Sequence, residues 1–273
     1  MTWTSLRIAG SSHRDAVIAV LFAAGAQGVH EDGATLVTHF PDSLDVGAIV
    51  GMVQAADPSA QCVTAPTSPI DWSVAWRERM RAYEVGSLTV APPWLTDGCD
   101  ASRTVVIDPG MAFGTGDHAS TRGALRLLQQ RMRPGLAVAD LGAGSGVLAI
   151  AAAKLGGSPV FAIEADPDAM GNATANVERN AVGDVVHLLE GEAKALLPLV
   201  APVDLIVANI VSSVLLELLA TFARALQPSG IAILAGILND ERETILDAVA
   251  ADGWRVLATD DEEEWWSVAI ARP

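Results

Sequence analysis

Five short stretches carry residue types whose spacing can do chemistry. The stretch Asp140-Leu-Gly-Ala-Gly-Ser-Gly146 closes one apolar run and opens another, VLAIAAAKLG. Glycines let a backbone turn tightly and approach a ligand with no Cβ in the way, so such a turn cradles something. A dinucleotide fingerprint would need a third glycine at position 147, where Val147 stands. The spacing is therefore G-x-G-x-G, and the expected ligand carries less charge than a pyrophosphate. The next run ends in AIEADP and sets Glu164 beside the glycine turn. A carboxylate there can accept both hydroxyls of a ribose through charge-assisted hydrogen bonds, which implies a nucleoside. Asp166 precedes Pro167 and is assigned to capping the helix that follows. In EGEA, Glu190 or Glu192 can reach an adenine amino group, with a solvated loop as the alternative. VANI places Asn209 at the same edge, where open α/β sheets bind ligands, although an asparagine at a strand end also serves as a plain turn residue.

The fifth stretch, DPGMAFGTGDHAST from Asp108 to Thr121, crowds three glycines, Phe113, an Asp117-His118 pair and three hydroxyls ahead of an apolar helix. Asp117 is assigned to capping that helix. His118 serves either as a base or, preferably, in structural hydrogen bonding.

The elements that must position these residues follow from periodicity. From about Val105 strands alternate with helices, which argues for a parallel sheet covered on both faces. Its seven strands are AVADLG, PVFAIEAD, VVHLLEG, VDLIVANI, GIAILAGI, WRVLAT and WWSVAIAR. Before it, LRIA, GVH, ATLVTHF and AQCVTA are strands in a β-α-β-β-α-β order, the ferredoxin-like pattern. Pro66 to Pro69 breaks the chain, and DWSVAWRERM follows as a polar helix with Trp72, Trp76 and Met80 on one side. The expected organisation is a small domain over 1–65, a linker helix over 66–84 and a large domain over 85–273. The run DDEEE, Asp260 to Glu264, reads as a solvated turn.

Composition narrows the partners. The 33 acidic and 17 basic side chains give a net charge of −16, and Lys154 and Lys194 are the only lysines. No basic stripe exists to neutralise a phosphate backbone, so direct nucleic-acid binding is not expected, while a basic protein or a cationic small molecule fits. Cys62 and Cys99 are too few and too scattered for a disulfide framework or a metal site, which points to a cytoplasmic protein with no metal. The run AVIAVLFAAGA mimics a short export signal, but Asp15 abuts it and WTSLRI alternates before it, so a buried helix is expected. No segment reaches the roughly 18 apolar residues of a membrane span, and a monomer is expected.

Taken together, DPGMAFGTGDHAST, DLGAGSGVLAIAA, AIEADPDA, VANI and EEEWWSVAIAR resemble the ribosomal protein L11 methyltransferases, the PrmA family. Their order and the small preceding domain extend the resemblance over nearly the whole chain. The family loop is close to F-G-T-G-T-H-P-T-T, matched here at Phe113, Gly114, Thr115, Gly116, His118 and Thr121. The chain departs from it at Asp117, Ala119 and Ser120, and carries Trp265-Trp266 where the family usually shows one tryptophan. The resemblance implies an α/β fold: a seven-stranded Rossmann-like methyltransferase domain dependent on S-adenosyl-L-methionine, preceded by a ferredoxin-like α+β domain and a helical linker.

Candidate cofactor contacts are then Phe113, Gly114, Thr115 and Thr121 in the loop, Asp140, Gly142, Gly144 and Gly146 in the turn, Glu164 and Ala165 after the second strand, Glu192, and Asn209. Candidate catalytic residues are Asn209, Thr115 and His118. The resemblance further implies that lysine and N-terminal amines of a ribosomal protein are methylated, that the first domain recognises that protein, and that the loop covers the methionine end of the cofactor. Because a lysine amine is protonated at neutral pH, catalysis is expected chiefly by positioning, with Asn209 orienting the lone pair. The alternatives are a protein-lysine methyltransferase acting on another basic client, such as an electron-transfer flavoprotein β subunit, and a catalytically silent cofactor-binding module.

Overall fold

A computed structural model of the chain describes residues 3–26, 28–33, 35–67, 80–108 and 117–272. The chain divides into two compact units, Met1–Met80 and Arg81–Pro273.

In the first unit, β1 (Trp3–Ala9), α1 (Arg14–Ala23), β2 (His30–Asp32), β3 (Thr35–Pro41), α2 (Val46–Ala56) and β4 (Gln61–Thr67) follow one another. The strands form an antiparallel sheet of order β2-β3-β1-β4. Period-two alternation buries Leu6 and Ile8 of β1 and Leu36 and Phe40 of β3 on one face, where Val17, Leu21, Ile49 and Val53 of the two helices meet them. The run read as a buried helix is α1, but only one side of it is covered, and Phe22 is half exposed.

Asp57 closes this unit. Its buried carboxylate accepts from Ser59 Oγ at 2.5 Å, Ser59 N at 2.9 Å, His13 N at 2.8 Å and Ser11 Oγ at 2.8 Å. The Ser59 hydroxyl foremost, with the other donors, holds the carboxyl well below the usual carboxylate range despite its burial. A depressed folded-state pKa stabilises the fold above the unfolded value of about 3.9, and that contribution fades as pH falls toward the folded value. We therefore expect Asp57→Ala to lower the melting temperature of this unit at pH 7. The difference from wild type should narrow steadily below pH 4, as read by circular dichroism melts.

The second unit opens with a small sheet of β5 (Tyr83–Val85), β6 (Leu88–Ala91) and β7 (Thr104–Val106), which the sequence reading did not anticipate. Its strands of three or four residues are too short to display a period. The large sheet has the order β10-β9-β8-β11-β12-β14-β13. Its strands are β8 (Val138–Leu141), β9 (Val160–Glu164), β10 (Val186–Glu190), β11 (Val203–Asn209), β12 (Leu226–Leu238), β13 (Arg255–Glu262) and β14 (Trp265–Ala271). All seven strands are where the sequence placed them, but the sheet is not wholly parallel. β14 lies antiparallel between β12 and β13. The two-residue connection at Glu263-Glu264 permits only an antiparallel hairpin, since a parallel neighbour needs a long crossover.

Helices α3 (Ala119–Arg131), α4 (Val147–Lys154) and α5 (Pro167–Arg179) cover one face, and α6 (Ala193–Val200), α7 (Ser212–Ala225) and α8 (Arg242–Ala251) the other. Strand β11 shows the two-sided burial: Leu205 and Val207 enter one core, Ile206 and Ala208 the other. No helix among the described residues is long and apolar enough to cross a membrane.

Three expectations change. Pro66 does not break the chain but continues β4, and Tyr83 already belongs to β5, so the linker helix cannot fill 66–84; Trp72 and Trp76 lie outside the described residues. The DDEEE run is a solvated turn only at Glu263-Glu264, and its first three residues belong to β13. Asp260 and Glu262 alternate along β13 toward α3, where Arg126 Nε and Nη2 reach Asp260 at 2.7 and 2.6 Å and Arg122 Nε reaches Glu262 at 2.6 Å. Asp261, on the other side of the strand, pairs with Arg242 at 3.0 Å. Finally, Asp117 stands one residue outside the helix it was expected to cap: His118 occupies the N-cap of α3, and the Asp117 carbonyl accepts from the Arg122 guanidinium.

Candidate active site

At the carboxyl ends of β8, β9, β11 and β12 lies a cavity of about 550 Å³, a size usual for small-molecule sites. Its floor is the glycine turn after β8. Gly142, Gly144 and Gly146 take φ of +69°, +52° and +82°, a left-handed conformation that only glycine adopts at ease. A Cβ on Gly142 would lie 2.3 Å from Ile210 Cγ2, so the Ile210 side chain fills the space that a side chain at 142 would need.

Glu164 fastens the turn to β9. Its Oε2 accepts from Gly144 N at 2.7 Å and its Oε1 from Asp166 N at 2.9 Å. A carboxylate has about four acceptor positions, so two remain for a diol. Asp166 caps α5 as expected, accepting from Asp168 N at 2.9 Å. Ala165 and Glu192, the N-cap residue of α6, also line the cavity, whereas Glu190, exposed at the end of β10, does not.

On the opposite wall, Asn209 ends β11 and donates from Nδ2 to Thr121 Oγ1 at 3.1 Å. Among the described residues Asn209 Oδ1 has no hydrogen-bond partner. The first turn of α3 brings His118, Ser120 and Thr121 to the cavity together. His118 Nδ1 lies 2.9 Å from Ser120 Oγ, and its ring stands edge-on to Trp265 with centroids 4.8 Å apart. The two tryptophans separate by the strand period. Trp265 faces the cavity, and Trp266 is fully buried in the core on the other side.

Two expected contacts are displaced from the cavity. Asp140 is fully buried, accepting from Ala149 N in the first turn of α4 at 2.9 Å, a position where a helix dipole favours negative charge. Burial, with the charge of Glu164 adding, pushes its carboxyl up to about 7 against that hydrogen bond. Gly146 is the N-cap of α4 and packs toward Ile150 and Ala173. Both shape the turn rather than line the cavity. Phe113, Gly114 and Thr115 lie outside the described residues.

Sequence reasoning missed Gly236, Gly191, Ile210 and Val211, which also line the cavity. Gly236 sits at a bulge of β12 with φ of +79°, and a Cβ there would lie 2.6 Å from Ile210 O and 3.1 Å from Asn209 Oδ1. A lone glycine inside the apolar run AILAGIL was the available signal.

The cavity is chiefly apolar, carries acids on one wall and an amide on the other, and is floored by backbone without room for a side chain. A nucleoside with a small cationic centre fits such a place. Among the described residues no cluster of His, Cys, Asp and Glu can hold a metal. Fold and site together define a methyltransferase dependent on S-adenosyl-L-methionine, and that molecule is the cofactor.

The chain belongs to the family described as ribosomal protein L11 methyltransferase (PrmA), whose pattern matches residues 21–273. It is similar to the ribosomal protein L11 methyltransferase of Thermus thermophilus, 38% identical over 259 residues covering 94% of this chain and 95% of that one. The protein of the same name from Pelotomaculum thermopropionicum is 38% identical over 214 residues, covering 78% of this chain and 69% of that one. A crystal structure of a ribosomal protein L11 methylase from Lactobacillus delbrueckii subsp. bulgaricus superposes with a TM-score of 0.64 at 30% identity, over 71% of this chain and 99% of that one. The chain is accordingly an enzyme, a protein methyltransferase.

Proposed function

We propose that this enzyme methylates lysine and N-terminal amines of ribosomal protein L11, in the cytoplasm and without binding nucleic acid directly. The names of its relatives and its net charge of −16, suited to a basic protein, support this substrate. The first unit, a ferredoxin-like arrangement by its strand order, would recognise L11. In this reading the unit Met1–Met80 is the recognising domain and the unit Arg81–Pro273 the catalytic domain.

The observation that carries the reaction is the Asn209–Thr121 pair facing an apolar cavity. The cofactor supplies a methyl group on a sulfonium, open to in-line attack by a neutral amine. A lysine amine with a pKa near 10.4 must first lose a proton, and desolvation by the apolar walls favours that loss to water. Asn209 Oδ1 then accepts one remaining N–H, and this bond aims the lone pair. Thr121 holds the amide in that orientation. In this reading Gly142, Gly144, Glu164, Ala165, Glu192 and Asn209 hold the cofactor, with Phe113, Gly114, Thr115 and Thr121 from the loop. Asp140 and Gly146 act through the shape of the turn. His118, engaged with Ser120 and Trp265, forms wall rather than base.

Each charge-assisted hydrogen bond that Glu164 accepts from a ribose hydroxyl is worth about 1.5–3 kcal/mol. Glu164→Ala should therefore weaken S-adenosyl-L-methionine at least about tenfold by titration calorimetry. Full affinity in that variant would remove Glu164 from the ribose. The substrate is tested by incubating enzyme, cofactor and recombinant L11 and reading intact mass. Increments of one methyl group on L11 support the proposal, and an unmodified L11 beside a different labelled protein in lysate would replace it.

A further inference from the structure

The cavity mouth has a lip with an unusual composition. Val211, 63% exposed, holds the N-cap position of α7 and makes no side-chain cap bond. Ser, Thr, Asp or Asn at an N-cap satisfies a backbone N–H, and an apolar residue there sacrifices up to about 1 kcal/mol of helix stability. Val214, 39% exposed, follows one turn later, and both valines line the cavity. Glu217, exposed, continues the same helix face.

The lip is stitched to two neighbours. Ser212 Oγ donates to Glu241 Oε1 at 2.5 Å, tying α7 to the short turn Asn239–Glu241. Asn239 N and Nδ2 donate to Glu264 O and Glu263 O at 2.9 and 3.0 Å, tying that turn to the tip of the β13–β14 hairpin. Asp260, Asp261, Glu262 and Glu263 all pair with arginines. Glu217, Asp240 and Glu264 are exposed and have no ion-pair partner among the described residues. Two exposed valines that line the cavity are therefore linked, along α7 and through the Ser212–Glu241 and Asn239–hairpin hydrogen bonds, to elements that carry three exposed carboxylates without ion-pair partners among the described residues.

We propose that this lip docks the segment of the protein substrate around the target amine, and that this segment is basic with an apolar side chain close to the reacting residue. The proposal rests on the protein-methylating reading above and adds the chemistry of the sequence it accepts. An apolar side chain covers Val211 and Val214, which gives the uncapped valine its use. Flanking cations meet Glu217, Asp240 and Glu264, which steers the segment toward the cavity.

The test uses the full chain and two readouts. Binding of a short peptide of lysines around one leucine is followed by fluorescence anisotropy, and methylation of recombinant L11 is followed by steady-state kinetics. Changing Glu217→Lys, Asp240→Lys and Glu264→Lys together should weaken the peptide about tenfold or more and raise KM for L11 similarly. The kcat and the cofactor affinity should stay within twofold. Salt should weaken binding to wild type but not to the triple variant, where added ions screen repulsion between lysines instead of attraction. Val211→Ser should raise the melting temperature by restoring a cap while weakening the peptide. A purely structural valine would give the opposite pair of changes. Unchanged peptide affinity in the triple variant, or peptide binding indifferent to exchanging leucine for serine, overturns the lip. Peptide binding that behaves as expected while wild type leaves L11 unmethylated keeps the lip and discards L11.

Discussion

Replacing Asn209 with alanine is expected to lower kcat by about 100-fold or more while leaving S-adenosyl-L-methionine affinity within about tenfold. The amide sits at a strand end, its Nδ2 occupied by Thr121 Oγ1 at 3.1 Å, and Oδ1 is left for a substrate N–H. Its contribution to binding is one neutral hydrogen bond of about 1 kcal/mol. Its contribution to turnover is larger, since losing an oriented polar group in a low-dielectric site commonly costs two to three powers of ten. Single-turnover kinetics with calorimetry on the same preparation separates the two. Thr121→Val keeps the volume and removes the anchor, so a smaller loss of about tenfold with intact cofactor binding should accompany it. Turnover unchanged in Asn209→Ala would leave the reaction to another group and end the positioning account.

Gly236→Ala is expected to cost as much turnover without touching the cofactor or the substrate chemically. The residue is left-handed, and a methyl there would lie 2.6 Å from Ile210 O and 3.1 Å from Asn209 Oδ1. A backbone carbonyl, here one residue past the end of β11, cannot swing aside as a side-chain terminus can. Either β12 slides away from β11 or the Asn209–Ile210 segment shifts. Overpacking costs about 1–3 kcal/mol, and displacement of a reacting geometry by an ångström can cost 100-fold. A lowered melting temperature together with a fall in kcat is the expected pair. Wild-type kcat in a folded Gly236→Ala would show that the bulge does not hold Asn209.

The order of elements and the rim of the sheet were legible because they follow from local pattern. Seven apolar runs between helices, a glycine turn and an acid at the next strand end are all features of consecutive residues. What was not legible depends on residues far apart in sequence. Asp260 and Glu262 read as solvated until α3 supplies Arg126 and Arg122 from more than 130 positions earlier. Glu164 read as a ligand carboxylate, and nothing local showed that Gly144 N already donates to it. Asp140 read as a cofactor contact from its place in the turn, yet its side chain points into the protein beneath α4. Asp117 read as a cap from its residue type, although register gave that position to His118. Gly236 escaped because a glycine in an apolar strand is noticed only when the adjacent strand is known.

The reversed direction of β14 governs when this protein can come into being during its synthesis. Strand β13 pairs in the sheet with β14 alone, and β14 reaches the rest of the sheet through β12. A ribosome that has delivered everything up to Glu264 has therefore made a strand with nowhere to dock, while the edge of β12 stands open. The cavity wall that includes Trp265, and the sheet pairing of β13, can form only once Trp265–Ala271 has emerged, so this side of the site is assembled last.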